Sequence, residues 1–230
     1  MTSDTAHGTG GAAPDAAGGD PSEGMAAGGM AAGGEAAGGD PSEGAFDLAA
    51  HRCFACGELN AHGLRMPLHM EPDHAWSELV LDPGFQGWEG IAHGGILATL
   101  LDEGMAWAIA AREAFGFTAR MTVEYRRPVP VGVPIRVDGR IVDARRRLIR
   151  AEADIADPAT GEVYAHAEGT YVIAPADQQA ALRGRYRFTG ATDAADGTRR
   201  WRVRQSLPAV EPGTDGAVTA TDTPVSVASR

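Results

Sequence analysis

The run from Gly94 to Ala111 constrains this chain more than any other stretch, because it is long enough for a helix and apolar on nearly every side. Ile96, Leu97, Leu100, Leu101, Met105, Trp107 and Ile109 fall all round a 3.6-residue repeat. A helix of that kind is buried rather than laid on a surface, and it is predicted from about His93 to Glu113. Strand-like runs surround it at Leu64–Met70, Ala75–Leu81, Ala119–Arg126, Ile135–Asp143, Leu148–Ala156 and Val163–Ile173. Turn signals at Glu71-Pro72-Asp73, between Pro128 and Pro134, and at Asp157 to Gly161 separate them. In Arg150 to Ala156, Ala and Ile alternate with Arg, Glu and Asp, so one face is wet and the other buried, as in an antiparallel sheet. Several strands follow the helix with no second helix between them, which argues against a doubly wound parallel fold. The pattern predicts an α+β layout of one buried helix against an antiparallel sheet of five to six strands.

Three segments are expected. Residues 1–45 consist almost wholly of Gly, Ala, Ser, Thr, Pro, Asp and Glu, and Gly18 to Gly24 recurs at Gly38 to Gly44. Such a segment cannot bury enough apolar area to offset its ordering entropy, so it reads as a disordered tail. Residues 46–176 form the folded domain. Residues 177–230 read as a largely disordered tail containing two basic stretches with interleaved aromatics, Arg183 to Phe188 and Arg199 to Arg204. These suit either an anion or nucleic-acid contact or a poorly ordered tail, at most a loose hairpin, interacting with the acidic N-terminal segment. The formal net charge is −11, but residues 1–46 hold seven acids and no Lys or Arg. The folded part is therefore less acidic than the whole, and nucleic-acid binding by it is disfavoured. No basic stretch followed by an apolar one opens the sequence, so no signal peptide is expected. Asp102 and Glu103 interrupt the most apolar run, which makes it a poor membrane span. The expected location is the cytoplasm, with neither nucleic acid nor membrane as a partner.

The chemistry concentrates on the helix. His93-Gly94-Gly95 opens it, where backbone N–H groups have no intrahelical acceptor. Bare glycines let a ligand oxygen approach those donors at the positive end of the helix dipole, or they simply allow tight packing. Asp102 and Glu103 are the only carboxylates between Gly94 and Ala111, and a buried ionised acid must be solvated, paired or used. His93 and Asp102 are nine residues apart, ~13–14 Å along a helix. They cannot serve one small reacting group within one chain, so a symmetric dimer with two shared sites is expected.

These residues resemble the hotdog-fold acyl-CoA thioesterases, in particular the group that includes the phenylacetate-degradation thioesterase and the mammalian thioesterase-superfamily members. The resemblance spans roughly Cys53 to Pro175. It is carried by His93-Gly94-Gly95 with an acid nine positions on, by Phe85 to Gly90 before the motif, and by Thr118-Ala119-Arg120 and Tyr125 to Pro128 after it. It implies a long central helix wrapped by an antiparallel sheet, homodimers that often pair into tetramers, and hydrolysis of acyl-CoA without metal or other cofactor. It also implies a role for each matching residue. Gly94 N–H would hold the thioester oxygen, Asp102 of the other subunit would be general base or nucleophile, and His93 would orient the helix start or the carbonyl. Thr118 would help place the water or the acid, and Gln86, with Gly87 competing for the slot, falls near a position where relatives carry Asn or Gln. Gly95 and Glu103 are set beside the substrate. Arg126, Arg127, Arg145 and Arg146 are candidates for the coenzyme A phosphates, and Trp88, Met105, Trp107 or Ile109 for the acyl pocket.

Two other readings of the same fold stay open, a hotdog enoyl-CoA hydratase or dehydratase and a non-catalytic acyl-CoA-binding module. The pair Cys53 and Cys56 is too small for a disulfide scaffold. With His51 and His62 it would offer four metal ligands, but at cramped spacing. Relatives in the resembled group carry a similar Cys-Phe-x-Cys-Gly segment, so the resemblance implies a structured loop leading into the sheet, with no metal expected and zinc as the alternative.

Overall fold

The computed structural model describes residues 42–188 and 191–207. Of the expected N-terminal tail only residues 42–45 are among them, and the expectation for 208–230 lies outside the described residues. In chain order the elements are β1 (Gly44–Ala49), β2 (His69–Glu71), β3 (His74–Val80), β4 (Gln86–Trp88), β5 (Ile91–Ala92), α1 (Gly94–Ala110), β6 (Gly116–Tyr125), β7 (Pro134–Arg145), β8 (Leu148–Ala156), β9 (Val163–Ile173), α2 (Ala176–Tyr186), β10 (Ala191–Thr192) and β11 (Trp201–Ser206). The six predicted strands are β2, β3 and β6 to β9. The first is the poorest match, since only His69 and Met70 of Leu64–Met70 pair.

The main sheet runs β10-β1-β11-β2-β3-β7-β8-β9-β6, while β4 and β5 form a separate hairpin. Every pairing is antiparallel except β1 with β11. α1 lies against β7, β8 and β3, which is the α+β hotdog arrangement of a helix wrapped by a sheet. Strand alternation produces this core. Ile149, Ala151, Ala153 and Ile155 of β8 are buried with Leu100, Leu101 and Met105 of α1, while the outward residues form ion pairs such as Arg140 with Glu152 (2.8 Å) and with Asp154 (2.9 Å). The helix comes close because the strands present small residues. A Cβ added at Gly139 of β7 would stand 2.3 Å from the Gly104 backbone, so helix and strand meet backbone to backbone there.

Of the tail expected over 177–230, the described residues correct the part up to 207. Residues 176–186 form α2, and β11 inserts between β1 and β2. The basic and aromatic interleaving of Arg199 to Arg204 is the period-two pattern of a strand with one buried face. Trp201 is buried and donates from Nε1 to Asp193 (3.0 Å), while Arg204 turns outward to Asp47 (2.8 Å) and Arg202 lies 3.7 Å from Glu43. These arginines therefore meet acids at the N-terminal edge of the domain. Among the described residues no helix is long and apolar enough to cross a membrane.

Candidate active site

The helix start is assembled from neighbouring residues. His93 caps α1 with extended backbone, and its Nδ1 accepts from Gly95 N–H at 2.9 Å. A neutral imidazole used this way carries its proton on Nε2. The His93 carbonyl accepts from Ile96 (2.9 Å) and Leu97 (3.2 Å). Gly95, Ile96 and Leu97 are thus engaged, and Gly94 N–H is the first-turn donor left without an acceptor among the described residues. Gly95, expected at the substrate, has its N–H committed to the cap. Tyr125 donates to the Gly94 carbonyl at 2.8 Å, so the far end of β6 secures this turn. The β4–β5 hairpin lies beside it. The His93 N–H bonds to the Phe85 carbonyl (2.9 Å), and a Cβ at Gly87 would come within 3.1 Å of the His93 ring. Gln86 accepts from Gly90 N–H at 3.0 Å, which fixes its carbonyl and leaves its amide hydrogens for another partner.

Asp102 is held by residues distant in sequence. Its Oδ1 accepts from Thr118 Oγ1 on β6 (2.7 Å) and from Tyr171 Oη on β9 (2.8 Å). Burial pushes the Tyr171 phenol well above its ordinary range, and the Asp102 charge and hydrogen bond add to this. The phenol therefore stays protonated and donates. Oδ1 is thus occupied twice, and among the described residues Oδ2 accepts no hydrogen bond. Thr118 reaches Asp102 because the β6–β9 register shifts between Thr118 and Arg120. The bulge exchanges the two faces of β6 at that point, so Thr118 and Tyr125, an odd number of residues apart, both face α1. Tyr171 was missed by sequence reasoning. The only available signal was a tyrosine amid the apolar positions of a buried strand, whose hydroxyl needs a partner.

Glu103, expected to contact substrate, points to another part of the fold. Its Oε1 accepts from Trp107 Nε1 (2.7 Å), and its carboxylate lies 3.7 Å from Cys53 Sγ. Burial pushes its carboxyl up to about 7, and the neighbouring Cys53 and Asp102 charges act in the same direction against the Cys56 and Trp107 hydrogen bonds.

The phosphate candidates occupy the two ends of the sheet. Arg126 and Arg127 follow β6 on the Tyr125 side, where Arg126 pairs with Glu124 (3.3 Å) and Arg127 with Glu162 (2.8 Å). Arg145 pairs with Asp143 (2.9 Å), and Arg146 sits at positive φ in the β7–β8 turn, at the end where β8 and β9 lead to Phe117. Near Asp102, an apolar cavity of about 220 Å³ lies between the second half of α1 and α2, lined by Trp107, Ile109, Phe115, Tyr171, Leu182 and Phe188. Of the four pocket candidates, Trp107 and Ile109 line it, Met105 is core and Trp88 is 84% exposed.

Residues 89–164, which include His93, Gly94, Asp102 and Thr118, match the model of the thioesterase superfamily. Among solved structures, a thioesterase superfamily protein is 29% identical with a TM-score of 0.49, and the match covers 53% of this chain and 60% of that one. The chain thus spans less than two thirds of that relative. Zebra fish thioesterase superfamily member 2 is 25% identical (TM-score 0.45, 47% of this chain and 80% of that one). A hypothetical thioesterase from Streptococcus pneumoniae, solved with coenzyme A, is 21% identical (TM-score 0.44, 46% and 84%). A search of curated proteins found no match.

Proposed function

We propose, from a hotdog domain whose residues 89–164 match the thioesterase superfamily, that this chain hydrolyses acyl-CoA thioesters to the free acid and coenzyme A. The observation that carries this reading is the Asp102 carboxylate, with one oxygen fixed by Thr118 and Tyr171 and the other left open. Gly94 N–H polarises the thioester carbonyl at the positive end of α1. Asp102 Oδ2 takes a proton from water as the water oxygen attacks the carbonyl carbon. The tetrahedral intermediate then expels the coenzyme A thiolate, which takes up a proton, and the carbonyl re-forms as the acid. Held by two hydroxyl donors, Asp102 needs little reorganisation during these steps.

A second subunit supplies the other half of each site. β6 is the last strand of the sheet, ten residues long and mostly exposed, and such an edge favours pairing with another strand. Thr118 at its beginning serves Asp102, and Tyr125 at its end serves Gly94. Antiparallel pairing of two β6 strands about a two-fold axis sets the Thr118 end of one beside the Tyr125 end of the other. That brings Asp102 of one subunit toward Gly94 of its partner, as the ~13–14 Å between His93 and Asp102 demands. The same pairing brings the Arg126–Arg127 end of one sheet near the Arg145–Arg146 end of the other, where a nucleotide phosphate could be met. The cavity beside Tyr171 accepts the acyl group.

The test is thiol release over short, medium, long and aromatic acyl-CoAs, with Asp102→Asn as control. Turnover of at least one thioester is expected, falling about 10²–10⁴-fold in the variant while the dimer persists. Near wild-type turnover in Asp102→Asn removes Asp102 from the mechanism. Binding without thiol release favours the non-catalytic module, and consumption of enoyl-CoA without thiol release favours a hydratase.

A further inference from the structure

The loop between β1 and β2 brings two thiols against α1 at Glu103, the helix position next to Asp102. The donor atoms of Cys53, Cys56 and Glu103 all lie within 4.8 Å of one another. Cys53 Sγ is 3.7 Å from Glu103 Oε2, and Cys56 Sγ is 3.9 Å from His51 Nε2. Around tetrahedral zinc, with bonds of about 2.0–2.3 Å, neighbouring donors stand roughly 3.3–3.8 Å apart. Cys53, Cys56 and Glu103 close to that spacing with small side-chain movements, whereas His51 stands outside this three-residue group, beside Cys56, and its ring has to swing in to complete the set. His51 Nδ1 now accepts from Cys53 N–H at a long 3.3 Å. Coordination through Nε2 moves the ring proton to Nδ1, so that contact is given up.

Three further observations suit a cation here. Among the described residues Glu103 makes no ion pair, so this half-buried carboxylate faces two thiols and an indole N–H. Trp107 Nε1 grips Glu103 Oε1 at 2.7 Å, the kind of outer hydrogen bond that orients a ligating carboxylate. The loop is also held in shape before any ion arrives. Gly57 N–H bonds to the Cys53 carbonyl (3.0 Å), and Gln205 of β11 donates to the Cys56 carbonyl (2.6 Å) while accepting from Glu58 N–H (3.2 Å). A Cβ at Gly57 would stand 2.4 Å from the His51 carbonyl oxygen, so the turn requires glycine.

The geometry points to a structural zinc site made by Cys53, Cys56, Glu103 and His51, which clamps this loop to α1 one residue beyond Asp102. Two thiolates, a carboxylate and an imidazole form a closed N/O/S set that suits Zn²⁺. Binding releases the thiol protons to solvent and involves no redox change. Glu103 replaces His62, the fourth ligand that sequence spacing offered. The site stands independently of the reaction proposed above.

The test uses the full chain, expressed with zinc, dialysed and assayed for metal. One zinc per chain is expected, and replacement by Co²⁺ should show a thiolate-to-cobalt charge-transfer band with the d–d bands of a four-coordinate ion. Chelation should lower the unfolding midpoint of the wild-type chain. The double variant Cys53→Ser, Cys56→Ser should lose both metal and charge-transfer band. Because that variant can fail to fold, Glu103→Gln serves beside it. It is expected to keep the band and weaken zinc affinity about tenfold or more, the loss seen even for changes outside the ligand set. Zinc-supplied, reduced protein without stoichiometric metal overturns the proposal. So does a Cys53–Cys56 disulfide in freshly isolated protein, or zinc affinity unchanged in Glu103→Gln.

Discussion

The start of α1 and its middle are made in different ways. At the start every partner is close in sequence, apart from Tyr125. His93 caps Gly95, its carbonyl serves Ile96 and Leu97, and Gly94 N–H is what remains. In the middle, Asp102 is held by Thr118, 16 residues away, and by Tyr171, 69 residues away. A backbone donor at a helix terminus is supplied by helix geometry itself. A carboxylate on an apolar helix has to be given its environment by other elements.

The comparison is broken most sharply by separating the two halves onto different chains. Gly94→Pro removes the N–H at the first helical position, where proline is tolerated, and the extended backbone of His93 suits a residue before proline. Co-expressed Gly94→Pro and Asp102→Asn chains, each nearly inactive alone, should regain roughly a quarter of wild-type thiol release. Half of randomly paired dimers then carry one intact site out of two. No recovery in mixed dimers confirmed by mass spectrometry would show that the site lies within one chain. Gly94→Pro alone should lower kcat about 10²–10³-fold, the loss typical of an oxyanion donor, with helix content by circular dichroism unchanged. A drop of less than threefold, on the order of 0.65 kcal/mol, removes that donor from the mechanism.

Smaller changes sharpen the account of the middle. Tyr171→Phe deletes a buried hydrogen bond to a charged acceptor, an interaction of about 1.5–3 kcal/mol, so kcat should fall about 10–100-fold. KM should move less, since the phenol orients Asp102 rather than the substrate. Thr118→Ala removes the second donor at an exposed position, where water can take its place. Its loss should stay within about tenfold. If Thr118→Ala costs more than Tyr171→Phe, the exposed donor rather than the buried one positions the acid.

The folded core was legible because strand alternation and an all-round apolar helix repeat in the sequence itself. Leu148–Ala156 and Val163–Ile173 are strands with the predicted bounds. The C-terminal strand was not, because Trp201 and Val203 are too few to mark a buried face until β1 and β2 flank them. Of the proposed site, His93 and Gly94 stand out as a glycine-rich helix start and Asp102 as an acid in an apolar run. Tyr171 does not, since its meeting with Asp102 depends on how β9 crosses α1.

Asp102 and Glu103 mark where sequence stops deciding. As the two acids of an apolar helix, they were bound to be paired, solvated or used, and residue type alone required that. Which fate each met depended on what packs against its side of α1. Successive helix positions differ by about 100°, so adjacent acids face different neighbours. The β6 bulge and β9 bring two hydroxyl donors to one, and the cysteine loop, pinned by β11, brings two thiols to the other.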